Sequence, residues 1–355
     1  MAKPKVHIYM PVDETGKSHK LMEDAGADVI APDEGWMTKA NASEKTIIKL
    51  EPGAVAGMGV AALSFQVTRE TMAACPDLRI ISKYTVGVDN VDVEAATEMG
   101  ILVTHCPTEA NFGAVAEGTM AFILTMLKRV RERDRYVKEG GWRNPELIAT
   151  YLGRRQLDPY GGITIGIIGL GRIGSRLADL LAPWRVRLLA YDPYIDESKF
   201  VHHDARSVDL ETLLRESDVV TLHTNLTEET RNMINAERLA LMKPTAILVN
   251  AARGPIVDID ALYDALVGDK LAGACLDVLP EEPPAPQSPI RGLGDKVILS
   301  PHQIAHTRGG GLQPAVPWAT DAVLSALRGE VPRHVFNEDV IPLWKERFSG
   351  KNLLT

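Results

Sequence analysis

A chain of 355 residues, 45% hydrophobic and 24% charged, is long enough for two domains with separate cores and too apolar for extensive disorder. A formal charge of −8 speaks against a general nucleic-acid surface or an acidic membrane face, and leaves room for a local basic pocket for a small anion. Cys75, Cys106 and Cys275 are an odd set without CxxC spacing, so neither a disulfide framework nor a zinc site is expected.

The opening MAKPKVHIYMPV runs straight into a strand pattern without a signal-peptide core, and no apolar run reads as long enough to span a bilayer. A cytoplasmic protein is the expectation. Residues 6–10 read as a strand, 17–25 as a helix and 27–31 as a strand. Further strands are expected at 60–65, 78–82 and 101–104, with helices at 68–74 and 93–98. This βα alternation predicts a parallel sheet with helices on both faces. Residues 111–131 form one long helical pattern, apolar on most faces as far as Met126 and then strongly charged, as for a helix buried between domains or subunits along its first part. Residues 140–162 are polar, irregular and glycine-containing, a linker into the next strand.

Residues 163–192 read ITIGIIGLGRIGSRLADLLAPWRVRLLAYD: an apolar strand, a GxGxxG turn, a helix, a second strand and a closing acid. That order is what gripping a dinucleotide requires. Gly169 allows the tight turn, Gly171 the approach of backbone to pyrophosphate and Gly174 the packing of helix on strand, with Arg172 and Ile173 completing the cofactor-facing set. The free N–H groups of the helix start face the phosphates. Asp192 stands where a carboxylate accepts hydrogen bonds from the adenosine ribose, and Pro193 rather than Arg or Lys follows it, which favours NAD over NADP.

The alternation then resumes, with helices at 208–216, 236–242 and 260–267 and strands at 219–223, 246–249 and 272–278. A proline-rich loop, PEEPPAPQSP, precedes a last short strand at 297–300, a flexible glycine run at 309–311 and a helix at 316–328. No repeat of solenoid period is visible. Three stretches fall at strand ends: 250–254 (NAARG), 276–283 (LDVLPEEP) and 300–302 (SPH). The carboxyl ends of parallel strands line the ligand crevice, so an Arg, a Glu and a His converge there as carboxylate anchor, histidine partner and proton donor.

With these motifs in order, the sequence resembles the D-isomer-specific 2-hydroxyacid dehydrogenases over nearly its whole length. The resemblance rests on KYTVGVDNVD, the NFGAVAE helix start, GLGRIG, LHTNLTEETRNMIN, MKPTAILVNAARGPIVD, LDVLPEEP and LSPH. It implies two Rossmann-like, doubly wound parallel-sheet domains with an intervening cleft. Residues 1–106 with 305–355 form the substrate domain and 107–304 the NAD domain, and two crossings near Cys106 and Ala305 form a hinge that closes to exclude water. It further implies Arg253, Glu282 and His302 as the catalytic set, and the backbone of Val86 and Gly87 on the substrate carboxylate. Ala252 and Asp277 fall to the cofactor, Asp277 at the nicotinamide carboxamide, and the 111–131 helix makes a homodimer. Lys83 occupies a position often basic in the family and suits a small anionic 2-hydroxy or 2-keto acid.

The chemistry agrees residue by residue. Hydride exchange at a hydroxy carbon needs a general acid/base at its oxygen, and a histidine titrates near the working pH. Glu282 at the other ring nitrogen fixes the tautomer and steadies the imidazolium. Arg253 offers a planar fork for the carboxylate and the keto oxygen. Glu281 is one residue off the motif and points to solvent. His306, four after His302, has the spacing of a helical metal pair, but Pro301 and the glycines disfavour a helix and no acid completes a site. His105, His202, His203 and His223 read as structural or surface histidines.

The chain departs from the family at Ala182-Pro183-Trp184-Arg185, where an aromatic-Gly turn is usual, and in the longer stretch 143–162. Ser64 falls near the arginine of phosphoglycerate dehydrogenases, Val86 at the lysine of phosphite dehydrogenases and Glu282 at the glutamine of formate dehydrogenases, which disfavours those substrates. The expected activity is reduction of a small 2-keto acid. The alternative is an NADH-sensing scaffold similar to the family's corepressor branch, with little turnover.

Overall fold

Strands arise where β-branched and aliphatic residues run together, and loops where Gly, Pro and Asp interrupt them. The computed structural model describes residues 2–32, 46–60, 65–157, 159–308 and 311–354. The chain divides into two compact units, Met1–Asn111 with Arg308–Thr355, and Phe112–Thr307.

In the first unit the strands are β1 (Lys5–Tyr9), β2 (Asp28–Ile30), β3 (Thr46–Ile47), β4 (Ala54–Gly59), β5 (Phe65–Gln66), β6 (Ile80–Lys83) and β7 (Leu102–Thr104). Five of them pair in the order β2-β1-β4-β6-β7, all parallel, and β3 and β5 form a separate pair. This is a doubly wound order whose switch point lies between β1 and β4. The helix Val316–Arg328 returns from the far end of the sequence onto β4 and β6. Trp344, on the last helix, is fully buried, and its indole N–H donates to the Arg79 carbonyl at 2.9 Å.

The second unit carries β8 (Thr164–Ile168), β9 (Arg187–Tyr191), β10 (Ala205–Ser207), β11 (Val219–Leu222), β12 (Ile247–Asn250), β13 (Gly273–Leu276) and β14 (Val297–Leu299). They form one parallel sheet in the order β10-β9-β8-β11-β12-β13-β14. Every residue of β8, β11, β12 and β13 is buried, as a sheet covered by helices on both faces demands. Asp209 and Asp258 cap the helices Leu210–Glu216 and Ile259–Val267, each carboxylate accepting a first-turn N–H. The strand order reverses direction between β8 and β11, which opens a crevice above the carboxyl end of β8.

The two doubly wound parallel sheets are as expected, while several elements differ. A strand not expected from the sequence stands at Ala54–Gly59; the strand expected at 60–65 falls largely on Ala61 to Ser64, which lie outside the described residues, as do Gly309 and Gly310. The single helix of 111–131 is two, Glu109–Leu127 and Val130–Lys138, because Arg129 takes φ 52°, a left-handed conformation that ends a helical run. By length and composition Glu109–Leu127 does suffice to cross a membrane, contrary to the expectation from the sequence, where Glu117 and two glycines break the apolar run. Its Ala116, Met120 and Ile123 lie in the core of the second unit with Ile163, Ile165 and Ile167. The helices Glu197–His202 and Ile341–Phe348 and the strand β10 were not anticipated.

Leu213 is fully buried in the second unit, in the cluster with Leu210, Leu214, Val220 and Leu222. Leu213→Ala is expected to cost about 2–5 kcal/mol in the urea transition of that unit, through lost transfer energy and a cavity. Val201→Ala, at a side chain 73% exposed, should stay within about 0.5 kcal/mol.

Candidate active site

Above β8 the chain turns at Gly169 with φ 90°, and a Cβ there would lie 2.7 Å from the His223 carbonyl oxygen. Only glycine fits that conformation in that space. The helix Arg172–Leu181 begins at Gly171 without any side chain capping its first N–H groups, and a Cβ on Gly171 would meet nothing within 4 Å. Uncapped N–H groups beside open space are what a pyrophosphate requires. Asp192, at the end of β9, accepts from the Leu170 N–H at 2.9 Å and the Tyr194 N–H at 3.1 Å, which ties the acid to the glycine turn. Across the crevice His223 follows β11. Its Nε2 meets the Thr221 hydroxyl at 2.9 Å, its Nδ1 is buried without a partner, and burial depresses its pKa to about 3. A neutral imidazole with an unused polar atom beside the glycine turn fits a site built for a bound polar group. Gly169, Gly171, Arg172, Ile173, Gly174 and Asp192 thus stand together, and they suit a dinucleotide.

The other half of the site follows β12, β13 and β14. Asn250, buried at the end of β12, donates through Nδ2 to the Arg253 carbonyl at 2.9 Å and accepts the Ala252 N–H at 3.0 Å. Arg253 donates through Nη1 to the Ala252 carbonyl at 2.7 Å. After β13 the carboxylate of Asp277, 2% exposed, accepts the backbone N–H of Gln303 at 3.0 Å and of Ile304 at 3.1 Å. The His302 N–H donates to the Asp277 carbonyl at 2.8 Å. Asp277, expected at a carboxamide of the cofactor, also anchors the backbone of the His302 loop. A buried carboxylate needs donors, and these two amides supply them.

His302 sits at φ 55°, a left-handed conformation that costs about 1–3 kcal/mol in a non-glycine residue and persists where its surroundings over-determine it. Its Nδ1 meets Glu282 Oε2 at 2.8 Å, while Glu282 Oε1 accepts the Leu279 N–H at 3.0 Å. Desolvation is the largest influence on the imidazole and pulls its pKa down. The hydrogen bond and charge of Glu282 outweigh it, and the value is raised. The side chain remains 40% exposed, so a substrate can reach the ring. Glu281 is exposed, as expected, and residues 303–308 form turns rather than a helix through His306. Gly118 was missed: a Cβ there would lie 2.2 Å from Ile304 Cγ1, so this helix position must be glycine for the His302 loop to close down.

The remaining candidates belong to the first unit. Val86 and Gly87 follow β6 in a loop held by their carbonyls, that of Val86 3.1 Å from the His105 ring and that of Gly87 accepting the Thr85 hydroxyl at 2.7 Å. Lys83 departs from its expected role on the substrate. It is fully buried, donating to the Val60 carbonyl at 2.7 Å and the Tyr9 hydroxyl at 3.1 Å, and burial pulls its pKa well below the usual range.

Residues 120–303 match the family model described as D-isomer specific 2-hydroxyacid dehydrogenase, NAD binding domain. A glyoxylate reductase of Thermofilum pendens is 36% identical over 96% of each chain. A glyoxylate reductase of Korarchaeum cryptofilum is 38% identical over 96% of this chain and 97% of the relative. Among solved structures, a D-lactate dehydrogenase of Aquifex aeolicus complexed with NAD and lactic acid superposes with a TM-score of 0.78 at 30% identity, covering 92% of this chain and 96% of that one.

The raised pKa of His302 has a consequence for stability. A group whose folded pKa exceeds its unfolded value stabilises the fold fully below the unfolded value, near 6.5, and loses that contribution as pH rises through the folded one. Glu282→Gln should lower the His302 midpoint in an NMR titration of the ring protons and flatten the pH dependence of stability in that window. An unmoved midpoint would remove Glu282 as the cause.

Proposed function

Because the chain belongs to the D-isomer specific 2-hydroxyacid dehydrogenases, NAD-dependent oxidoreductases acting on CH–OH groups, we propose that it interconverts a small 2-keto acid and its D-2-hydroxy acid, with reduction the main direction. The observation that carries the reading is the 2.8 Å contact of His302 Nδ1 with Glu282, which leaves Nε2 for a substrate oxygen. NADH, when bound, supplies the hydride for the keto carbon. Gly169, Gly171, Arg172, Ile173, Gly174, Asp192 and Ala252 hold the dinucleotide. His302 gives the proton that the carbonyl oxygen needs as it becomes a hydroxyl, and Glu282 keeps that proton available by steadying the imidazolium. Arg253 binds the substrate carboxylate and polarises the carbonyl, with the Val86 and Gly87 amides completing the anion site. Residues 1–106 with 305–355 form the substrate domain and 107–304 the cofactor domain of a cytoplasmic homodimer.

Glyoxylate heads the candidate substrates, because the glyoxylate reductases above align along nearly the whole chain. The test is NADH oxidation against glyoxylate, hydroxypyruvate, pyruvate, phenylpyruvate and phosphohydroxypyruvate. Turnover of one of these should fall about 10²–10⁴-fold in His302→Ala, the usual worth of a general acid. Arg253→Lys should lower kcat/KM by more than about tenfold, since a point charge does not replace a bidentate fork. NADH binding with no turnover of any of the five would reject the enzymatic reading of this site, and sedimentation as a monomer would reject the dimer.

A further inference from the structure

The loops after β9 and β11 flank the crevice over β8, where the adenosine end of a dinucleotide sits in a sheet of this order. One side-chain contact bridges them: the Tyr194 hydroxyl donates to the carboxylate of Glu229. Tyr194 is fixed at its base, its backbone N–H bonded to Asp192 Oδ1 at 3.1 Å. Glu229 is fixed at the other side, in a loop closed on itself by Thr230. That hydroxyl donates to the Asn225 carbonyl at 2.7 Å and accepts the Thr227 N–H at 2.8 Å. Neither Tyr194 nor Glu229 serves the core, since both are exposed, Tyr194 by 77%.

We infer that Glu229, held in place by Tyr194, is a second carboxylate selecting NAD(H) over NADP(H). The inference rests on the dinucleotide reading of the crevice and adds a residue to it. Asp192 is the acid that the ribose hydroxyls meet. Glu229 stands one tyrosine side chain away on the opposite wall, so a 2′-phosphate entering between the two loops faces negative charge from both sides. Two exposed cations belong to the same surroundings, Arg172 at the start of the helix after the glycine turn and Arg231 two residues beyond Glu229. The loop carries two exposed carboxylates, Glu228 and Glu229, and one exposed cation, Arg231, and of the two acids Glu229 is the one that Tyr194 holds toward the Asp192 side. Neutralising Glu229 leaves one acid and one base in the loop, a charge balance that a 2′-phosphate tolerates better.

The test is equilibrium binding of NADH and NADPH to the full chain, followed by nucleotide fluorescence without substrate, for wild type, Glu229→Gln and Tyr194→Phe. Glu229→Gln is expected to tighten NADPH about tenfold while leaving NADH within about twofold, the size of a unit charge at short range near a surface. Tyr194→Phe frees the carboxylate without removing it, and should tighten NADPH by a smaller factor. Because the effect is one of charge, the wild-type preference should shrink as salt is raised, and shrink less in Glu229→Gln. An NADPH-to-NADH ratio of dissociation constants unchanged in Glu229→Gln would overturn the inference while leaving the dinucleotide site intact. Failure of the wild type to bind either nucleotide would overturn both.

Discussion

A carboxylate taken out of water must be met by donors, and at Asp277 that requirement shapes the candidate site. The acid follows directly on β13, where the strand leaves it almost wholly buried. Its carboxylate draws in the amides of Gln303 and Ile304, and its carbonyl takes that of His302. Three bonds from one residue set the backbone around His302, and they explain how the left-handed conformation of that histidine is sustained. Ile304 can reach the acid because Gly118, on the helix beneath, carries no side chain. The Glu282 contact then only has to orient a ring whose backbone is already fixed.

Two histidines at strand ends of the second sheet, His223 and His302, show opposite outcomes of desolvation. His223 lies under the loop with only a neutral hydroxyl at Nε2, and loss of solvent drives it to the uncharged form. His302 is also desolvated, but an adjacent carboxylate reverses the sign and the ring holds its proton more tightly than in water. The same side chain is biased toward its neutral form in the first place and toward its protonated form in the second, by the absence or presence of one glutamate.

Much of this was legible in the sequence because the responsible signals are local. The glycine turn, the acid after β9 and the strand-end Arg, Glu and His each sit within a short motif, and the alternation of apolar runs gave both parallel sheets. What escaped depends on residues far apart in the chain. Nothing near Gly118 says that Ile304 will lie on it, and nothing near Asp277 says that residues 303 and 304 will bond to it. The break at Arg129 depends on one φ angle within a continuous helical pattern. The strand Ala54–Gly59 was passed over because its small residues, two of them glycines, weaken the apolar signal that Val60 and Phe65 supply. Lys83 reads as a substrate contact from its place in the family resemblance, and only tertiary packing reveals that Tyr9 and Val60 take up its amine.

That buried ammonium makes the first unit its own gauge of local opening. An amine with no solvent exposure, its pKa depressed and its protons committed to two internal oxygens, is out of reach of acylating reagents while the sheet is closed. The many exposed lysines of the chain react at once. Covalent modification of Lys83 therefore advances only as fast as strands β1, β4 and β6 part, and its time course records the breathing of that unit alone.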